Sequence, residues 1–285
     1  MTRRSLVASL AAAPLVAKPF PKPIGVQLYT ARTLLAKDPE GTLKRIAAIG
    51  YQEVELYAVD QIDKLVPIAK SLGMKATSIH IPAAICLGEN PSPFENALAK
   101  AKEAGIAYAG VPYVAPNDRG SSGVSNEDFW SAWSKKMNRA AEIADKAGVK
   151  FFYHHHAFEF VGAPGARPID YMKKFLDPKV KLELDVFWVA AAGLDPIDTL
   201  DEWKGRVALM HVKDKAAGMS AITTESEAKR EDFKEVGAGT LDFKKLLNAA
   251  LRSGVDKFYV EQDQCPGDPV DSLAQSFGYL KKLSL

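Results

Sequence analysis

Gly148-Val149-Lys150-Phe151-Phe152-Tyr153-His154-His155-His156-Ala157-Phe158-Glu159-Phe160, followed by Pro168-Ile169-Asp170-Tyr171-Met172-Lys173-Lys174-Phe175-Leu176, is one strand-then-helix unit, and its recurrence decides the fold. The aromatic run has the composition of a strand and the second stretch opens with a first-turn proline, as helices do. Alternation along a strand puts His154 and His156 on one face, and His155 on the other with Tyr153 and Phe151. Two imidazoles at the end of a strand, with Glu159 just beyond, form part of a candidate metal or acid/base site.

Working outward, the same cadence recurs along the chain. Strands are predicted over 24–29, 53–57, 74–80, 107–114, 149–155, 180–185, 207–212 and 257–261. Each precedes a segment of helical period, and Gly50, Gly73, Gly105, Gly148 and Gly254 stand where five helices should stop. Such a repeat over ~260 residues matches an α/β fold, a single (β/α)8 TIM barrel spanning 24–285. An open doubly wound sheet fits less well, because Gln27-Leu28-Tyr29-Thr30 replaces the glycine-rich turn expected after its first strand.

The 285 residues carry 37 Lys and Arg against 35 Asp and Glu, so bulk charge supplies no attraction to nucleic acid or to an anionic membrane. Cys86 and Cys265 form no Cys-x-x-Cys pair and are expected as free buried thiols. Residues 1–23 differ from the rest. Arg3-Arg4, an apolar run to Ala17 and the Pro-rich Lys18-Pro19-Phe20-Pro21-Lys22-Pro23 predict a twin-arginine-like export signal plus an extended linker. A periplasmic location follows from that expectation, a cytoplasmic one if the segment is not a signal. Elsewhere no stretch approaches the ~20 apolar residues of a membrane span.

Active sites of such barrels lie at the C-terminal strand ends. Those ends carry Gln27, Glu55, His80, His154 and His156, Asp185, His211 and Lys213, and Glu261 and Asp263. The last four strands each supply one ligand-type residue, His154, Asp185, His211 and Glu261. Such a set suits one divalent ion, Mn²⁺, Zn²⁺, Co²⁺ or Mg²⁺. Gly237-Ala238-Gly239-Thr240 offers either a phosphate cradle or, the favoured alternative, a tight turn in which Thr240 caps the next helix. Trp130 and Trp133, at helical spacing, are expected in the core, and Trp188 near a substrate.

Leu184-Asp185-Val186-Phe187-Trp188, Met210-His211-Val212-Lys213-Asp214, Val236-Gly237-Ala238-Gly239-Thr240-Leu241-Asp242-Phe243 and Val260-Glu261, in this order, resemble the xylose isomerase-like TIM barrel superfamily of sugar phosphate isomerases and epimerases, in an exported branch. The resemblance covers essentially residues 24–285. It implies one divalent metal on Asp185, His211 and Glu261, with His154 standing where many members place a glutamate. Trp188 likewise stands where several epimerases place a histidine. The implied activity is a sugar isomerase or epimerase that removes a proton next to a carbonyl through a metal-stabilised enediolate. The alternatives are a 3-keto-sugar lyase or hydratase of the same fold, and a non-catalytic carbohydrate-binding barrel.

In that scheme Glu261 or Glu159 is the base, Lys213 and His80 stabilise or protonate oxygen, and His156, Trp188, Glu55 and Gln27 contact the substrate. The expected partner is a small sugar or keto-sugar. A homo-oligomer is also expected, since barrels of this kind often pair through their helical rims.

Overall fold

The computed structural model describes residues 19–119 and 126–285, so the export-signal expectation at residues 1–18 lies outside the described residues. Eight parallel strands close a barrel: β1 (Gly25–Gln27), β2 (Glu53–Leu56), β3 (Lys75–His80), β4 (Tyr108–Val111), β5 (Lys150–His154), β6 (Lys181–Asp185), β7 (Val207–Val212) and, after a two-stranded antiparallel ribbon of β8 (Asp214–Lys215) and β9 (Phe233–Lys234), β10 (Lys257–Val260). Around the barrel the order is β1-β10-β7-β6-β5-β4-β3-β2, so consecutive barrel strands are neighbours throughout and β10 closes on β1.

Local chemistry sets the boundaries. β1 ends early because the Gln27 side chain accepts from Tyr29 N at 3.1 Å, turning the chain into a 3-10 turn over Leu28–Ala31. Asp38 caps the helix Pro39–Ile49 by accepting from Gly41 N at 2.9 Å, and Gly50 leaves that helix at φ 119°, in the left-handed region glycine occupies without strain.

Strand alternation produces two apolar cores separated by the barrel wall. Outward residues such as Val54, Ile79, Phe151, Leu184, Met210 and Val260 pack into a large cluster with the helices, which includes Trp130 and Trp133. Inward, Tyr108, Phe152, Leu209 and Tyr259 form a separate plug. Each such side chain contributes about 1.5–3 kcal/mol by burial. The plug needs glycine beside it: a Cβ on Gly25 would lie 2.5 Å from the Tyr259 ring, and one on Gly110 2.3 Å from Phe152 O. Because large aromatics fill the barrel below, polar side chains concentrate at its C-terminal mouth.

Two local expectations change, the free linker and the Thr240 cap, and one short helix is added. The described part of the Pro-rich segment is no free linker: Pro19 bridges to Ser284, the Phe20 ring meets Phe258 edge-on at 4.9 Å, and Lys22 pairs with Asp256. Val186–Ala191 forms a short helix directly on the end of β6. The Gly237–Thr240 loop is a turn rather than a phosphate cradle, since its N–H groups are already used. Gly237 N and Gly239 N donate to Asp214 Oδ2, each at 2.9 Å, and Leu241 N donates to Asp214 Oδ1 at 3.1 Å. The following helix is Phe243–Ser253, capped by Asp242 rather than Thr240. Cys86 and Cys265 are free thiols, and no helix among the described residues is long and apolar enough to cross a membrane.

Candidate metal centre and active site

The C-terminal mouth holds a cavity of about 480 Å³. His80, His154, His156, Lys213, Glu261 and Asp263 line its floor, with Tyr29, Arg32, Tyr57, Tyr113 and Trp188 around them. Glu225, Ala228 and Phe233, from the insertion between β7 and β10, cover one side. Arg119 holds that insertion, pairing with Glu225 at 2.7 Å while its guanidinium lies 3.4 Å over the Phe158 ring.

The register levels Asp185 with His211 and His154 with Glu183. At the mouth one ligand atom each from His154, Asp185, His211 and Glu261 lies within 4.8 Å of the others. Asp185 caps the helix Val186–Ala191, its Oδ1 accepting from Phe187 N at 2.9 Å and Trp188 N at 3.2 Å. Only Oδ2 is left to face the imidazoles. His155, on the opposite face of β5, accepts from Asp185 N at 3.1 Å and ties the two strand ends together.

Hydrogen placement decides whether the four atoms suit a cation. The Pro112 carbonyl can only accept, so His154 Nδ1, 2.7 Å away, carries the proton. Burial lowers this imidazole's pKa to about 3 and keeps it neutral. Its Nε2 lone pair therefore faces Asp185 Oδ2 at 3.4 Å, acceptor against acceptor. His211 donates from Nε2 to Glu55 Oε2 at 2.6 Å. Its Nδ1 lies 2.8 Å from Glu261 Oε2 and 3.6 Å from Asp185 Oδ2, and although burial opposes charge, Glu183, Glu261 and Glu55 raise this imidazole's pKa well above its usual value, so Nδ1 carries a proton that a metal ion would displace. The His154 lone pair, His211 Nδ1 once its proton has left, and two carboxylate oxygens form a donor set that suits a divalent ion.

Lys213 is buried beside this group, its Nζ 2.9 Å from Asp185 Oδ2, 2.6 Å from Glu261 Oε2 and 2.6 Å from Asp263 Oδ2. Burial opposes its charge, but Asp185, Asp263 and Glu261 outweigh it and raise its pKa. Burial likewise opposes charge on Glu261, yet Lys213 and His211 hold that carboxylate well below its usual range. Asp263 is pushed the other way, burial raising it more than Lys213 lowers it, although 21% of its side chain is open to the cavity.

Three expected site residues are not in the cavity. Glu159 lies behind β5, its Oε1 accepting from the Tyr153 hydroxyl at 2.5 Å and its Oε2 from His156 N at 2.9 Å. Fully buried, it is a packing carboxyl and not a base at the cavity. Gln27 and Glu55 lie one layer below, with Gln27 Nε2 donating to Glu55 Oε2 at 2.8 Å, so Glu55 orients His211 instead of touching a ligand. His80 reaches both layers, lining the cavity while its Nε2 meets Glu183 Oε2 at 2.6 Å.

Glu183 is the residue sequence reasoning missed. Burial pushes its pKa up to about 7, and it sits with Glu55, His80 and His211 in a second buried cluster. Its signal was the two-residue spacing to Asp185, which puts both on the inner face. His156 and Trp188 do line the cavity, and the buried His156 Nδ1 and Trp188 Nε1 have no hydrogen-bond partner among the described residues.

Comparison with known proteins agrees with this fold. An inosose dehydratase of Lacticaseibacillus casei is 26% identical over 164 residues, 54% of either chain, so the chain spans about half the length of the curated relatives it matches. A sugar phosphate isomerase/epimerase of Parabacteroides distasonis superposes with a TM-score of 0.71 at 24% identity, covering 97% of this chain and 98% of that one. A zinc-bound IolI protein superposes with a TM-score of 0.68 at 16% identity over 90% and 96%. The family model of the xylose isomerase-like TIM barrel matches residues 43–283, and the chain belongs to that family.

Proposed function

We propose that the chain is a divalent-metal-dependent enzyme that removes the proton next to the carbonyl of a polyhydroxylated ketone, and that elimination of a neighbouring hydroxyl is the favoured outcome. The observation that carries this reading is Lys213, held among Asp185, Glu261 and Asp263 at the edge of the four-atom ligand group and open to the same cavity. A divalent ion supplies Lewis-acid polarisation of a carbonyl and its adjacent hydroxyl. Glu261, kept ionised, takes the α-proton. Lys213, kept protonated, gives a proton to the departing oxygen, and its contact with Asp263 keeps the ammonium at the cavity. His156 and Trp188 line the cavity beside the ligand group and contact the substrate.

Elimination of water needs a base for the α-proton and an acid for the departing oxygen, and Glu261 and Lys213 lie side by side at the cavity to fill those roles. Epimerisation by two flanking carboxylates is less well matched, because His154 takes the position of one of them. The inosose dehydratase relatives support the same preference. Export by way of Arg3-Arg4 remains part of the proposal, tested by fractionating cells that express the full chain and a variant with both arginines changed to lysine.

The test is metal content of wild type beside His211→Ala, then reaction of cyclic and open keto-polyols in D₂O. Stoichiometric metal lost in the variant, with deuterium exchange and loss of water, supports the lyase. Exchange without loss of water favours the isomerase or epimerase. No metal and no exchange overturns the enzyme reading and leaves a carbohydrate-binding barrel.

A further inference from the structure

We propose that Lys213 is a built-in competitor for the metal: its ammonium neutralises the ligand carboxylates until an ion binds, and Asp263 is the acceptor to which it then withdraws. The inference rests on the reading that His154, Asp185, His211 and Glu261 take a divalent cation. Asp185 Oδ1 is committed to the N–H groups of Phe187 and Trp188, so Oδ2 alone remains for a cation. That oxygen faces His154 Nε2 and His211 Nδ1, and it is also the one Lys213 touches at 2.9 Å. The same holds for Glu261, whose Oε2 lies 2.8 Å from His211 Nδ1 and 2.6 Å from Lys213 Nζ.

An ammonium and a divalent ion sharing these oxygens would stand within about 4 Å of each other in a site that water screens poorly, and they repel. One partner of Lys213 lies outside the ligand group: Asp263, at 2.6 Å and partly open to the cavity. The Trp188 ring, 5.7 Å from Nζ, offers the cation a second face as the flexible side chain pivots. Withdrawal toward Asp263 moves the ammonium away from the metal ligands and toward the cavity, where a bound ketone would need a proton donor. A single lysine thus keeps the carboxylates compensated before loading and becomes available for chemistry after it.

The experiment is titration of chelator-treated, full-length protein with Zn²⁺ and with Mn²⁺ against a metallochromic competitor. Wild type is compared with Lys213→Met, Asp263→Asn and the double variant. Removing the competing charge should tighten metal binding about tenfold or more in Lys213→Met. Asp263→Asn should weaken it about tenfold, because Lys213 is left with only the ligand carboxylates to lean on. Most of the Asp263→Asn effect should vanish in the Lys213→Met background.

Unchanged or weaker binding in Lys213→Met overturns the proposal, and so does an Asp263→Asn effect of equal size in both backgrounds. Should Lys213→Met not fold without metal, Asp263→Asn decides alone, and unchanged or tighter binding there overturns the proposal. Wild type that binds no metal fails the parent reading as well, which separates the two failures.

Discussion

The two halves of the barrel end their strands in similar residues and use them differently. The ends of β1 to β3 carry Gln27, Glu55 and His80; those of β5 to β10 carry His154, Asp185, His211, Lys213 and Glu261, and every one of these side chains is buried. Burial and residue type therefore do not distinguish the halves. Position relative to the cavity does: of the first group His80 alone lines it, whereas His154, Lys213 and Glu261 of the second do. In the first half Gln27 serves Glu55, Glu55 serves His211, and His80 serves Glu183. In the second half His154 Nε2 and His211 Nδ1 turn onto carboxylate oxygens that also meet Lys213. A polar strand end is thus support when it turns below the cavity onto another strand end, and a ligand candidate when it converges with others beside the cavity.

The sharpest way to break this contrast lies within the histidine run. His154→Ala removes a lone pair from the ligand group and should cost about a thousandfold in metal affinity, roughly 4 kcal/mol. His156→Ala, two residues on along the same face, should leave affinity unchanged and raise KM about tenfold, the worth of one good hydrogen bond. Competitive metal titration and steady-state kinetics on both variants check this. Equal metal loss in the two would mean that His156 also ligates.

A smaller effect tests the supporting half. Glu55→Gln keeps the size of the side chain but weakens the acceptor that fixes a proton on His211 Nε2. Metal affinity should fall about ten- to a hundredfold with the fold intact. Unchanged affinity would show that the lower layer packs beneath the ligands without orienting them.

The barrel was legible because strand and helix period alternate without interruption and glycine marks the helix ends. Of the site, convergence of the four ligand candidates follows from topology alone, since adjacent parallel strands deliver their ends to one mouth. What stayed hidden depends on hydrogen bonds that no period encodes. Val186-Phe187-Trp188-Val189-Ala190-Ala191 is an apolar run without a helical stripe, and it becomes a helix because Asp185 caps it. Glu55 and Gln27 look the same in sequence whether they meet a substrate or His211. The Gly237–Thr240 amides could have served any anion until Asp214 folded back onto them. Glu159 follows β5 closely enough to suggest the cavity, but the 3-10 turn Phe158–Phe160 carries it behind the strand.

That misplaced glutamate sets the smallest test, because it contrasts a carboxyl outside the mouth with those inside. Burial raises Glu159 from an ordinary 4.5 to about 8, against the lowering effect of the Tyr153 hydroxyl and the His156 amide. A group with a raised folded-state pKa binds its proton more tightly folded than unfolded. Its stabilising contribution is therefore complete below about 4.5 and disappears as pH climbs through 8. Wild type should lose stability over that window relative to Glu159→Gln, which presents a neutral side chain of the same shape at every pH. The gap in Tm between the two should widen by a few degrees from pH 5 to pH 9. Parallel curves would mean that Glu159 ionises freely, as a carboxylate open to the cavity would, and the line drawn between packing and catalytic carboxyls would have to move.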